Sequence, residues 1–169
     1  MSANRLFAIV TGASTGIGFE LAKRCAQEGY DLLIAADEPE IESAATSLRS
    51  EGATVAALQA DLATIEGVDK LYAATKGRQV DALLANAGRG LGHGFLDQDF
   101  GKARRVVDTN VTGTIYLVHK GRQRHAPPKC RQNPDHGIDC RFHPRQLSGR
   151  VQRDQGLPEF FFICTAGRT

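Results

Sequence analysis

The sequence contains no apolar run long enough to cross a bilayer, so a membrane-spanning helix is not its organising element. Its first residues, Met1-Ser2-Ala3-Asn4-Arg5, lack the apolar centre of a secretory leader, and a cytoplasmic protein is expected. No Cys-x-x-Cys pair occurs among the four cysteines, which leaves reduced thiols as the expected state. Charge of one sign is also missing: the formal net charge of +2 favours no polyanionic partner. The 169 residues suit one domain with a sizeable core.

What is present is a glycine turn. The apolar run Leu6-Phe7-Ala8-Ile9-Val10 feeds into Thr11-Gly12-Ala13-Ser14-Thr15-Gly16-Ile17-Gly18, and a helical pattern leaves it through Ile17, Leu21 and Cys25 until Gly29. A strand-to-helix turn of this kind aims backbone N–H groups and the positive end of a helix dipole at one place, which suits a pyrophosphate. Gly12 fits the tight turn, Gly16 the close approach of phosphate, and Gly18 the packing of helix on strand.

Three more strand and helix pairs follow. Asp31-Leu32-Leu33-Ile34-Ala35-Ala36 reads as a buried parallel strand ending at Asp37, about 20 residues beyond the turn, where a carboxylate can hold an adenosine ribose. Neither Asp37, Glu38 nor Glu40 has a nearby Arg or Lys in sequence, so NAD is favoured over NADP; alternatively Asp37 and Glu38 only begin a loop. Ile41, Ala44, Ala45 and Leu48 form a helical face closed by Gly52. Thr54 to Gln59 is the third strand, leading to Ala60-Asp61-Leu62, where Asp61 could instead cap the next helix. That helix carries Ile65, Val68, Leu71 and Tyr72 and stops at Gly77. Val80 to Ala85 is the fourth strand and runs into Asn86-Ala87-Gly88, which on its own reads as a turn. A glycine-rich loop with an exposed His93 precedes a helix from about Asp97, which reaches Asn110-Val111-Thr112-Gly113. The alternation predicts an α/β fold, a Rossmann-type doubly wound parallel sheet.

From Arg5 to His119 the sequence resembles the short-chain dehydrogenase/reductase family, through Thr-Gly-x-x-x-Gly-x-Gly at Thr11–Gly18, Asn-Ala-Gly at Asn86–Gly88 and Asn-Val-x-Gly at Asn110–Gly113. The resemblance implies hydride transfer between a nicotinamide dinucleotide and a small alcohol or carbonyl substrate, in a homo-oligomer. It implies cofactor contacts from Gly12, Ser14, Thr15, Gly16, Ile17, Gly18, Asp37, Asp61, Leu62, Asn86, Ala87 and Gly88. Asp61 and Leu62 would face the adenine, and Asn110 would hold a water in a proton relay to a catalytic lysine. It implies a sheet in the order 3-2-1-4-5-6-7, with the fourth strand central.

The family's proton chemistry needs a tyrosine, a lysine four residues later that lowers its pKa, and an upstream serine that holds the substrate oxygen. No Tyr follows Tyr116, no Lys follows Lys129, and Ser148 has no Tyr-x-x-x-Lys behind it. The composition changes at the same place: five of six prolines, three of four cysteines and four of five histidines fall within Val118–Thr169. The genetic code offers a reason. Read from the second base of each codon, Lys129 to Leu157 can spell Asn-Ala-Gly-Arg-Ile-Leu-Ile-Thr-Gly-Ser-Ile-Ala-Gly-Phe-Ile-Pro-Gly-Ser-Phe-Gln-Ala-Val-Tyr-Asn-Gly-Thr-Lys-Ala-Phe. The hidden serine lies under Ile138 and Asp139 as ATC-G, the tyrosine under Val151 and Gln152 as GTA-C, and the lysine under Gln155 and Gly156. We therefore expect a net one-base insertion near Lys120–Gly121, dividing the chain into a Rossmann half-domain (1–119) and an irregular, frame-shifted tail (120–169).

Other readings of the tail are weaker. Cys130, His136, Cys140 and His143 lack the tight spacing of a zinc finger, and no metal is expected. Arg122 to Arg168 is arginine-rich without interleaved aromatics, so no nucleic-acid module is expected. Glu159 to Cys164 could pass for a strand but reads better as an exposed apolar segment prone to aggregation. The fourth strand would then be an open edge unless the tail covers it, and marginal stability and poor solubility are expected. As written the chain is expected to be inactive, with a non-catalytic dinucleotide-binding protein as the alternative and a tail-driven nucleic-acid binder as a third.

Overall fold

The computed structural model describes residues 5–92, 94–124, 132–133, 137–138 and 163–165. Four parallel strands form its centre: β1 (Phe7–Thr11), β2 (Asp31–Ala36), β3 (Val55–Gln59) and β4 (Ala82–Leu84). They lie side by side as β3-β2-β1-β4, the order the resemblance implies. The helices α1 (Gly16–Gln27), α2 (Ile41–Ser50) and α3 (Ile65–Ala74) make the crossovers.

β1, β2 and β4 are largely apolar and buried because both of their faces are covered, whereas β3 at the edge is only partly buried. Side chains alternate across the pleat, so Ala8, Val10, Leu32 and Ile34 pack on one face with Ala22 and Cys25 of α1 and Ile41, Ala45 and Leu48 of α2. Phe7, Ile9, Leu33 and Ala35 pack on the other with Val68, Leu71 and Tyr72 of α3 and with Leu117. Each such buried aliphatic or aromatic side chain contributes about 1.5–3 kcal/mol. β1 is also fixed at its start, where the buried Asp81 carboxylate accepts from the Phe7 amide at 2.8 Å and the Asp81 amide donates to the Phe7 carbonyl at 2.8 Å.

Two helical stripes differ from the sequence pattern. Ile17 and Ile65 are exposed, and the buried positions of α1 are Gly18, Ala22 and Cys25. Ile17 stands in the first turn of α1, just past the carboxyl end of β1. Ile65 directly follows the cap of α3, which is Thr64 and not Asp61: the Thr64 hydroxyl accepts from the Gly67 amide at 3.0 Å.

After β4 the chain makes a short 3₁₀ turn at Phe95–Asp97. One continuous helix follows: α4 (Phe100–Val107), a π turn at Asp108–Gly113, and α5 (Thr114–Arg124). It starts at Phe100 rather than near Asp97, because the carboxylate of Asp99 caps it by accepting from the Lys102 amide at 3.1 Å. The buried Tyr72 hydroxyl donates to the Leu117 carbonyl at 2.7 Å and ties α3 to α5.

β4 is not an open edge. Ile163–Thr165 (β7) pairs with it antiparallel, with Cys164 opposite Leu83. For Glu159 to Cys164 the less favoured strand reading is the one the backbone of Ile163 and Cys164 adopts, and Glu159 to Phe162 lie outside the described residues. The backbone groups of β4 need partners, and a β-prone stretch supplies them. Two-residue strands β5 (Gln132–Asn133) and β6 (Gly137–Ile138) form a separate antiparallel pair. His93, Cys130, His136, Cys140, His143 and Ser148 lie outside the described residues. Among the described residues no group of three or more metal-binding side chains assembles, and no helix is long and apolar enough to cross a membrane.

Cys25 is buried between α1 and the sheet, and its burial, with the Glu28 charge adding, pushes the thiol up to about 11. At neutral pH it should resist alkylation in the folded chain and react once urea is added. Peptide mass spectrometry after iodoacetamide checks this, and rapid labelling of Cys25 without urea would place it at the surface.

Candidate cofactor site

The glycine turn sits at the carboxyl ends of the parallel strands, beside β4, and a cleft of about 350 Å³ opens there. Gly12, Ser14, Thr15, Ile17, Gly18, Asp37, Asp61, Leu62, Asn86, Ala87 and Gly88 all line it. These residues come from four loops spread along the chain from Gly12 to Gly88, and the strand order brings them together. Gly16 lies between two lining residues, and Asn110 reaches the site through a loop contact.

The three glycines have distinct geometric reasons. Gly12 has φ +66, and a Cβ there would lie 2.8 Å from the Ala87 Cα. A Cβ on Gly18 would lie 2.0 Å from the Gly12 carbonyl oxygen, so α1 touches the strand end at this point. Gly16 has φ +58, and a Cβ there would stand in open space, with no atom within 4 Å. No side chain caps α1, and no acidic residue sits in its first turn. Among the described residues the first N–H groups of the helix therefore meet no side-chain acceptor from its own cap and no acid from its own first turn. A pyrophosphate fits that cradle.

The Asn-Ala-Gly loop is locked to the turn. The buried Thr11 hydroxyl accepts from the Asn86 and Ala87 amides at 3.0 Å each and donates to the Leu84 carbonyl at 3.3 Å. The Asn86 side-chain amide donates to the carbonyls of Thr11 and Gly12, both at 3.2 Å. Asn110 sits in the π turn and clamps the next residue of the loop: its Oδ1 accepts from the Arg89 amide and its Nδ2 donates to the Arg89 carbonyl, each at 2.8 Å.

The far end of the cleft corrects one expectation. Asp37 is balanced by arginine. Arg89 forms a direct ion pair with it, and Arg105 lies 3.8 Å away while pairing with Asp61 at 2.9 Å. Glu38 is nearby and accepts from the Ser14 hydroxyl at 3.1 Å. The arginines escape a local reading because they stand 52 and 68 positions beyond Asp37. Arg89 carries one available signal, since it directly follows Asn-Ala-Gly.

A second point escapes motif reading. Tyr-x-x-x-Lys spacing does occur, at Tyr72/Lys76 and Tyr116/Lys120. Neither pair lines the cleft. Tyr116 donates to Asp69 of α3 at 2.9 Å, and Lys120 pairs with the same carboxylate at 2.7 Å. The Lys120 and Tyr116 hydrogen bonds hold Asp69 below the usual carboxylate range, and the Asp69 contact raises Lys120. These groups join two helices on the outer side of the fold. Among the described residues that line the cleft there is neither tyrosine nor lysine.

Comparison with known proteins agrees with this architecture. Residues 6–124 match the family model for short chain dehydrogenase. The chain is 37% identical over 123 residues to an L-rhamnose 1-dehydrogenase (NAD(P)(+)) of Azotobacter vinelandii, covering 69% of this chain and 48% of that protein. Among solved structures it is similar to the bulky-bulky ketone specific alcohol dehydrogenase from Comamonas testosteroni, with TM-score 0.64 and 31% identity over 72% of this chain and 50% of the other. It is also similar to L-sorbose reductase from Gluconobacter frateurii complexed with NADPH and L-sorbose, with TM-score 0.64 and 29% identity over 73% and 50%. The chain thus spans about half the length of the relatives it matches. With the motifs, the strand order and the match over residues 6–124 in agreement, the chain belongs to the short-chain dehydrogenase/reductase family.

Proposed function

We propose that residues 1–119 are the dinucleotide-binding half of an oxidoreductase that moves a hydride between NAD(P) and an alcohol or carbonyl compound. The observation that carries this is the cleft itself, where an uncapped, glycine-lined helix start faces Asp37, Asp61 and Asn86–Gly88. Gly12 to Gly18 would hold the pyrophosphate, Asp37 the adenosine ribose, Asp61 and Leu62 the adenine, and Asn86–Gly88 the second ribose. The carboxylates of Asp37 and Glu38 suit the 2′-hydroxyl of NAD, while Arg89 and Arg105 beside Asp37 offset their repulsion of a 2′-phosphate. The nicotinamide would supply the hydride chemistry, and the protein the positioning and proton transfer.

We further propose that the chain as written binds without turning over, because residues 120–169 derive from a shifted frame and lack the serine and Tyr-x-x-x-Lys. Asn110 keeps a positioning role through Arg89, and its relay role belongs to the restored chain. Self-association fits the exposed Phe100, Val107, Val111 and Ile115 along the long helix. A cytoplasmic setting without nucleic-acid or membrane partners rests on the sequence alone.

The test has two arms. The encoding DNA is read across the codons for His119 to Thr169. Deleting one base near Lys120–Gly121 should then give a chain that reduces NAD or NADP with a sugar or another alcohol, while the chain as written binds nucleotide with no turnover. A codon other than GTA at Val151 removes the hidden tyrosine and sinks the shifted-frame account. Turnover by the chain as written would sink the claim of inactivity.

A further inference from the structure

The adenosine end of the cleft holds three carboxylates, Asp37, Glu38 and Asp61, against two guanidiniums, Arg89 and Arg105. Carboxylates alone would repel a 2′-phosphate. The arginines change that balance, and their mounting differs from that of ordinary surface pairs. The Arg89 backbone is held by two hydrogen bonds to Asn110, while its side chain is 39% exposed and pairs with Asp37. The main-chain carbonyl of Arg105 accepts from the Thr109 hydroxyl at 2.9 Å, and its 48% exposed side chain spans Asp37 and Asp61. Fixed backbones carrying partly exposed, forked guanidiniums suit bidentate capture of phosphate.

We propose that Arg89 and Arg105 set cofactor selectivity, releasing Asp37 to receive a 2′-hydroxyl or turning to receive a 2′-phosphate, so that the site accepts both NAD and NADP. In the free chain the two arginines neutralise Asp37. When NAD binds, the ribose hydroxyls take over part of the Asp37 carboxylate and Arg105 stays with Asp61. When NADP binds, the same guanidiniums pair with the phosphate, and Asp37 is screened from it. Loss of either arginine leaves a surplus of carboxylate that acts against the 2′-phosphate and not against the hydroxyl. This inference rests on the dinucleotide reading of the cleft.

The test uses the full chain and two probes that reach only the adenosine end, adenosine 5′-monophosphate and adenosine 2′,5′-bisphosphate, by calorimetry at low salt. The parent should bind the two within about tenfold of each other. Arg89→Ala and Arg105→Ala should each weaken the bisphosphate at least about tenfold and leave the monophosphate within about twofold. Arg105→Lys should recover part of the bisphosphate binding, since it restores charge without the fork. Asp37→Asn should shift preference toward the bisphosphate. If the parent excludes the bisphosphate, or if the arginine variants weaken both probes equally, the inference is wrong while the dinucleotide reading stands. If neither probe binds, both fall together.

Discussion

Gly18→Ala should lower stability by about 3 kcal/mol and the melting temperature by roughly 10 °C, with loss of nucleotide binding as the turn distorts. The added methyl would meet the Gly12 carbonyl oxygen at 2.0 Å, and neither side of that contact can yield. One side is the first turn of α1, and the other is the end of β1, held between β2 and β4. Gly16→Ala separates fold from binding. Its φ of +58 makes a side chain cost about 1 kcal/mol, yet the methyl meets nothing in the protein. That variant should melt only a few degrees lower. Its NAD affinity should fall at least about tenfold, because on the proposed dinucleotide reading the methyl would stand where the phosphates approach. Thermal melts and NAD titration of the two variants check the pair. Equal binding loss per degree of destabilisation would mean that Gly16 does nothing beyond folding.

Gly113→Ala should be of similar size. A Cβ there would lie 2.0 Å from the Leu62 carbonyl oxygen, where the long helix crosses the end of the third strand. We expect a loss of about 3 kcal/mol as the helix is pushed outward. The displacement should reach the cleft, since Asn110 on the same turn would lose its grip on Arg89. Asn110→Ala is the control. It removes the clamp and leaves the helix in place, so it should weaken nucleotide binding with a smaller drop in melting temperature. If Gly113→Ala melts like the parent, the close approach at Leu62 is not a constraint.

The parts of the fold legible in the sequence are those fixed locally. Alternation along β1 and β2, the glycine turn and the stop at Gly29 each involve residues a few positions apart, so the pattern carries its own explanation. The meeting of Thr11 with Asn86 could be anticipated through family resemblance, though nothing in either segment alone requires it. Arg89 and Arg105 were beyond reach for a physical reason. Their partners are chosen by how β2, β3 and α4 converge, not by neighbours along the chain. Ile17 misleads in the opposite sense: it continues an apolar stripe in sequence, but the helix begins beyond the sheet and leaves it facing the cleft. Ile163 to Thr165 illustrates a third case. Whether an apolar stretch pairs as a strand depends on whether an edge is vacant, and β4 supplies one.

The π turn at Asp108–Gly113 sets the phase of the helix around it. Upstream, Arg105 faces the acids of the cleft, and downstream, Tyr116 and Lys120 face Asp69 on the opposite helix. An ordinary α-helix advances about 100° per residue, so removing a single residue from the turn would wind one of these groups away from its partner. Most surface segments absorb an insertion or deletion by bulging. Here a change of one residue is a rotation, and it would uncouple the cleft side of the helix from the α3 side even if every remaining side chain were kept.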